Sequence, residues 1–157
     1  MSLLLPLLAS VPVPVRFRWR VLRMAGLDTA VAGIERSVSF WNRKVTIGPG
    51  SYVNRGVKFE GAGKIELGSH VAIGPDALIL TSTHEIGPSE WRAGSGTPRV
   101  EPVTIGDGTW IGARATILPG VTIGRGCVIA ANALVREDCP DNTFWAGVPA
   151  RMKKSLP

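Results

Sequence analysis

The chain has 157 residues and a formal net charge of +6, a length that suits one domain and not two independently folded ones. Aromatic residues make up only 6% against 19 glycines and 12 prolines, which disfavours a helical bundle. Two cysteines, Cys127 and Cys139, cannot staple a domain of this size and form no C-x-x-C pair for zinc, so a reduced, cytoplasmic protein is expected, while the excess of Lys and Arg suits a polyanion or a phosphate-bearing ligand.

Met1 to Val15 carry no charge and are rich in leucine, but Pro6, Pro12 and Pro14 interrupt a run already too short to span a bilayer. The arginines Arg16, Arg18, Arg20 and Arg23 follow the apolar stretch, the reverse of the order in a signal peptide. A short helix is expected over residues 15–25. Phe17, Val21 and Met24 fall in line at spacings of four and three, with Arg16, Arg20 and Arg23 along their flank. The expected role is a cap on the rest of the fold. A second reading is peripheral contact of residues 1–25 with an anionic membrane, on its inner face, where arginines flank inserted apolar side chains.

From Val45 onward the sequence repeats every six residues. Ile105, Ile111, Ile117, Ile123, Ile129 and Val135 form an unbroken aliphatic series, and the residue after each is mostly small. Four positions after each come Thr109, Ala115, Val121, Cys127, Ala133 and Cys139, again compact. An earlier block, Ile47-Gly48, Val53 and Phe59, resumes two residues late at Leu67-Gly68, Ile73-Gly74 and Ile79, so an extra pair lies within Glu60 to Glu66. Six is no helical period, and an even period keeps every aliphatic residue on one side of a strand. Short strands joined by glycine turns at fixed spacing wind into a parallel β-helix, three hexapeptides to a coil. The expected organisation is an N-terminal segment 1–44, an all-β domain 45–154 and a tail 155–157.

The repeat disappears between Thr83 and Glu101, in a loop of about residues 84–101 rich in Gly, Pro and polar side chains. Long excursions from a regular scaffold usually serve function. His84 stands at the mouth of this loop, and imidazole is the side chain best suited to take a proton near neutral pH, which makes His84 the leading catalytic candidate. His70, the other histidine, is expected to face solvent from mid-repeat.

Tyr-Val-Asn at 52–54, Thr-Ser-Thr-His at 81–84, the run from Glu101 to Ala113 and Ala-Gly-Val-Pro-Ala-Arg at 146–151 together resemble the hexapeptide-repeat acyltransferases, in particular the maltose, galactoside and exopolysaccharide O-acetyltransferase group. The resemblance implies left-handed coils and a homotrimer with active sites between subunits. It also implies acetyl-CoA as co-substrate, with no metal, and a saccharide hydroxyl as acceptor. On its motifs, His84 is the general base, Asn54 lies beside the acetyl group and acceptor, and the main-chain N–H of Ala113 receives the oxyanion. Trp110, Ala113, Ala131 and Arg136 line the pantetheine groove, and Arg151 and Lys154 reach the nucleotide phosphates. Two departures are evident. Ala62 occupies the place of the acid that galactoside-type relatives use to hold the sugar, with Glu60 nearby, and the segment before the repeats is short, which favours an exopolysaccharide or glycolipid acceptor.

Rival functions are weaker. A γ-type carbonic anhydrase needs three histidine ligands and this chain has two. Nucleic-acid binding lacks any reader motif. A non-catalytic scaffold and a xenobiotic O-acetyltransferase remain as alternatives, the first predicting no effect of changing His84 and the second a different acceptor.

Overall fold

The structure is a computed structural model that describes residues 13–94, 96 and 98–157; the apolar run before residue 13, and with it half of the proposed membrane contact, lies outside them. Helix α1 (Val15–Met24) follows Pro14. It stops one residue short of the expected end because Gly26 takes φ 90°, a left-handed conformation that ends helices. Leu22 is buried, and Arg18 donates from Nε to the carbonyl of Val13 at 2.8 Å. This inner side packs on β1 and β2 and closes one end of the fold.

The chain then winds in coils of three short strands. The first coil is β1 (Asp28–Thr29), β2 (Gly33–Ile34) and β3 (Ser39–Phe40), and the second is β4 (Val45–Ile47), β5 (Tyr52–Val53) and β6 (Lys58–Glu60). The third is β7 (Ile65–Leu67), β8 (Ala72–Ile73) and β9 (Leu78–Leu80), after which β10 (Ser82–Thr83) and β11 (Arg99–Val100) bracket the long loop. The fourth is β12 (Val103–Ile105), β13 (Trp110–Ile111) and β14 (Thr116–Ile117), and the fifth is β15 (Thr122–Ile123), β16 (Val128–Ile129) and β17 (Leu134–Val135). Corresponding strands pair in parallel, giving three sheets: β1-β4-β7-β12-β15, β2-β5-β8-β13-β16, and β3-β6-β9-β14-β17. These are the first, second and third faces below. A partial sixth coil adds β18 (Thr143–Gly147) to the second face, and β19 (Ala150–Ser155) turns back antiparallel on it.

The six-residue period becomes a stack of buried rungs. On the second face Ile34, Val53, Ile73, Ile111 and Ile129 lie one above another in strand register and are sealed from solvent, with Trp145 at the top. Each such aliphatic side chain stabilises the fold by about 1.5–3 kcal/mol. Thr109, Ala115, Val121, Cys127, Ala133 and Cys139 are buried as the second column of the repeat. Burial pushes the Cys139 thiol up to about 12, with the neighbouring Cys127 adding to it, so Cys139 stays a protonated filler of the core.

Two features differ from the sequence expectation, and a third falls where it was expected. Coiling begins at Asp28, inside the segment 1–44: Ile34 and Phe40 keep the spacing of six, but a seven-residue step from Phe40 to Ile47 breaks it before the regular block. The stretch from Ala150 to Ser155 is no longer helical winding, because β19 reverses over β18 and takes in the first residue of the expected tail. The extra residues within Glu60 to Glu66 form a turn at 61–64, where Gly61 has φ 102° and a side chain would strike Thr81 and Ser82. His70 is exposed, as expected, at a turn with φ 56°. Among the described residues no helix is long and apolar enough to cross a membrane.

Candidate active site

The residue following each buried rung sits at an edge where one face turns into the next. On the edge between the second and third faces the stacked pairs are Glu35-Arg36, Asn54-Arg55, Gly74-Pro75, Gly112-Ala113 and Ala130-Ala131, bound by main-chain hydrogen bonds such as Glu35 N–H to Val53 O (2.9 Å) and Gly112 N–H to Ile129 O (2.7 Å). Three of the sequence candidates, Asn54, Ala113 and Ala131, therefore share one edge. The lower part of that edge is charged and amide-bearing, and the upper part carries only glycine, alanine and proline.

The first-to-second edge is capped differently. There Asp107 accepts a hydrogen bond from the main-chain N–H of Ser69 (2.7 Å), and Asp141 accepts one from Arg125 N–H (2.8 Å). The Asp141 carboxyl is held below the usual carboxylate range by that N–H and by the Arg125 guanidinium. At the candidate edge the equivalent capping residues are Ala113 and Ala131, which have no acceptor. Among the described residues the N–H of Ala113 donates to no protein acceptor. Gly74 keeps the approach to it open, since a Cβ there would lie 2.6 Å from the Ala113 nitrogen. An amide left bare in a groove of small side chains can receive a negatively charged oxygen.

Asn54 is half-buried. Its Oδ1 accepts from the N–H of Arg55 at 2.8 Å, which leaves its amide NH2 for a ligand. Two rungs separate Asn54 from Gly112-Ala113, about 10 Å at ordinary strand spacing. Trp110 projects from the second face with more than half of its surface exposed (57%). In strand register Trp110 is followed along the sheet by Val128, Phe144 and Lys154, a row about 14 Å long with a flat apolar ring at one end and a cation at the other. Arg151, also on β19, is paired with Glu137.

The other candidates lie elsewhere. Arg136 follows β17 and is exposed on the edge between the third and first faces, not on the Ala113 edge. His84 leaves that same third-to-first edge. It directly follows β10, whose antiparallel pairing with β11 (Ser82 with Val100, Thr83 with Arg99) pins the base of the loop, and it is exposed. A single chain thus carries the imidazole and the Asn54 amide on different edges. Beneath the loop Ser82 Oγ accepts from Ala62 N–H (2.9 Å) and Thr81 Oγ1 donates to Glu60 O (3.0 Å), so Glu60 and Ala62 belong to the His84 edge.

Sequence reasoning missed Glu35, Arg36, Tyr52 and Arg55. They line a cavity with Asn54 and Pro75, or hold its walls: the Tyr52 hydroxyl donates to Glu35 Oε1 at 2.8 Å, an interaction that holds the phenol above its ordinary pKa. The spacing of Ile34 and Phe40 was the available signal, since it places Glu35 one rung below Asn54. Among the described residues no three His, Cys, Asp or Glu side chains gather as metal ligands would.

Comparison with known proteins bears on the family and the fold. The family described as bacterial transferase hexapeptide (six repeats) matches residues 102–137. A galactoside O-acetyltransferase of Lactococcus lactis is 35% identical over 118 residues, 75% of this chain and 56% of the relative; the chain spans somewhat over half the length of that protein. The crystal structure of a maltose O-acetyltransferase from Clostridium difficile superposes with a TM-score of 0.87 at 31% identity, over 98% of this chain and 83% of the other. A hexapeptide-repeat-containing acetyltransferase from Vibrio cholerae, solved in complex with acetyl coenzyme A, gives 0.80 at 30% identity over 98% and 84%. The coils are those of the left-handed parallel β-helix.

Proposed function

Because the chain belongs to the hexapeptide-repeat acyltransferases, in the maltose and galactoside O-acetyltransferase group, we propose that it transfers an acetyl group from acetyl-CoA to a saccharide hydroxyl. The observation that carries this reading is the uncapped Ala113 amide, set above Asn54 on an edge of otherwise small residues. The upper edge suits a thioester arm lying along glycine and alanine. Trp110 offers its ring to that arm, and Arg151 and Lys154 supply cations for the nucleotide phosphates. Ala131 lines the same groove, whereas Arg136, on the third-to-first edge, is not part of it within one chain. The Vibrio relative, which binds acetyl coenzyme A, supports this use of the groove.

In the reaction His84 accepts the proton of the acceptor hydroxyl as its oxygen attacks the thioester carbonyl. Deprotonation concerted with attack is needed because a sugar hydroxyl is scarcely ionised at neutral pH, and a positioned base contributes about 10²- to 10⁴-fold. The resulting oxyanion takes the hydrogen bond of Ala113 N–H, and Asn54 holds the acetyl group and acceptor in line. Collapse expels the CoA sulfur, which receives the proton from the His84 imidazolium, leaving an acetyl ester and free CoA thiol.

His84 and Asn54 stand on different edges of one chain, which supports a homotrimer whose sites are completed between neighbours. The outer side of α1 supports peripheral attachment to an anionic membrane from the cytoplasmic side, and the exopolysaccharide or glycolipid branch remains the favoured class of acceptor. Changing His84 to Ala is the direct test. Turnover, measured as thiol release, is expected to fall by about 10²-fold or more with acetyl-CoA binding retained. Undiminished turnover would falsify the base assignment, and absence of turnover by the unaltered protein with every acceptor tried would return it to the scaffold reading.

A further inference from the structure

The cavity at the lower end of the candidate edge has a volume of about 420 Å³ and is lined by Glu35, Arg36, Asn54, Arg55 and Pro75, a size in the range of small-ligand sites. Its hydrogen-bonding character is one-sided. Glu35 is the only carboxylate among these residues, and both of its oxygens are engaged, Oε1 by the Tyr52 hydroxyl (2.8 Å) and Oε2 by the N–H of Arg36 (3.4 Å). Asn54 uses its oxygen on Arg55 N–H and keeps its NH2. Among the described residues neither Arg36 nor Arg55 forms an ion pair. The two arginines come from positions matched across one rung, as the pairing of Ile34 with Val53 fixes, so their backbones lie about 5 Å apart. Two arginines rooted on adjacent rungs and without an acidic partner can both reach one anion in the cavity, and an anion there gains charge-assisted hydrogen bonds from each.

We propose, resting on the acetyl-transfer reading above, that the acceptor is an anionic saccharide whose acidic group is bound by Arg36 and Arg55 while its reacting hydroxyl lies at Asn54. Glu35, tied down by Tyr52, is a positioning residue that keeps the two guanidiniums from closing on it. Carboxylate and phosphate share this chemistry, so a uronate and a hexose phosphate are both candidate acceptors. The acid missing at Ala62 then has no counterpart to be sought at Glu60, because selection falls to cations on the opposite edge.

The test is saturation kinetics, read by free thiol release, with a methyl hexoside, the corresponding uronate and the corresponding hexose phosphate. Direct calorimetric binding of the same three compounds runs in parallel. A charged acceptor is expected to show a KM lower than that of the neutral sugar by about tenfold or more, with the advantage shrinking in added salt. Substituting Arg36→Ala and Arg55→Ala together is expected to raise that KM by about tenfold or more and to leave the KM for acetyl-CoA alone. Both side chains are exposed, so the fold does not depend on them. Whichever charged compound binds more tightly identifies the group. Equal use of the neutral sugar, or indifference of the double variant, overturns the inference while leaving acetyl transfer intact. If acetyl-CoA binds and no acceptor is acetylated, the acetyl-transfer reading fails, and calorimetry decides the cavity separately. Anion binding lost in the double variant sustains it, and no anion binding overturns it.

Discussion

Gly74 and Gly48 occupy the same place in the repeat on different edges, and a side chain at either would collide with the next coil, 2.6 Å from Ala113 N in one case and 2.4 Å from Gly68 O in the other. The packing penalty of Gly→Ala is therefore similar at both, whereas of these two only Gly74 borders the Ala113 amide. Gly74→Ala is expected to lower kcat by about 10²- to 10³-fold, the usual cost of losing an oxyanion donor, and Gly48→Ala to shift the melting temperature without that loss. Equal kcat in the two variants would remove Ala113 from the mechanism. The glycine column was legible from its spacing alone. That Ala113 N–H is uncapped was not, because it depends on which residue of the next coil stands opposite, and the turn lengths between coils vary. Asp107 and Asp141 read in the sequence as ordinary surface acids for the same reason, although each caps a main-chain N–H on the neighbouring coil.

Among the elements, the strands were readable because each short strand buries one residue of a strict period, and the period survives from Ile105 to Val135 without interruption. The first coil escaped because its steps are uneven, and β19 because a reversal leaves no periodic trace. Helix α1 was foreseen to within one residue, and its two sides now have separate roles. Leu22 seals the end of the core, and Arg16, Phe17, Arg20, Arg23 and Met24 are exposed, with the Arg16 and Arg20 guanidiniums 4.9 Å and 5.5 Å from the centre of the Phe17 ring. Its described residues include no acidic side chain. Flotation with vesicles is expected to recover the protein with phosphatidylserine-containing vesicles and not with purely zwitterionic ones. At about 1 kcal/mol per basic residue near such a surface, replacing Arg16, Arg20 and Arg23 by Gln should weaken the binding on the order of 10²-fold. Equal recovery with both kinds of vesicle, or with neither, would assign α1 to end-capping alone.

For the molecule as a whole, the separation of His84 from Asn54 makes quaternary structure part of the proposed chemistry. If each site takes its imidazole from one subunit and its amide from the next, inactive His84→Ala and Asn54→Ala proteins should complement each other once their subunits are mixed by unfolding and refolding. In random trimers one interface in four carries both intact groups, so about a quarter of the original activity is expected. Failure to regain activity in mixtures that sedimentation shows to be trimeric would place the site within one chain. The two ends of the column matter on the same scale. Any stack of paired strands finishes in open main-chain groups that invite the first coil of one molecule to dock on the last coil of another. Here α1 covers one terminus, and at the other β19, bearing Arg151, Lys153 and Lys154, folds back as the last strand of the second face. The helix thereby removes one of the two surfaces that a head-to-tail stack would need, which leaves the flanks of the column as the ground for contact between copies.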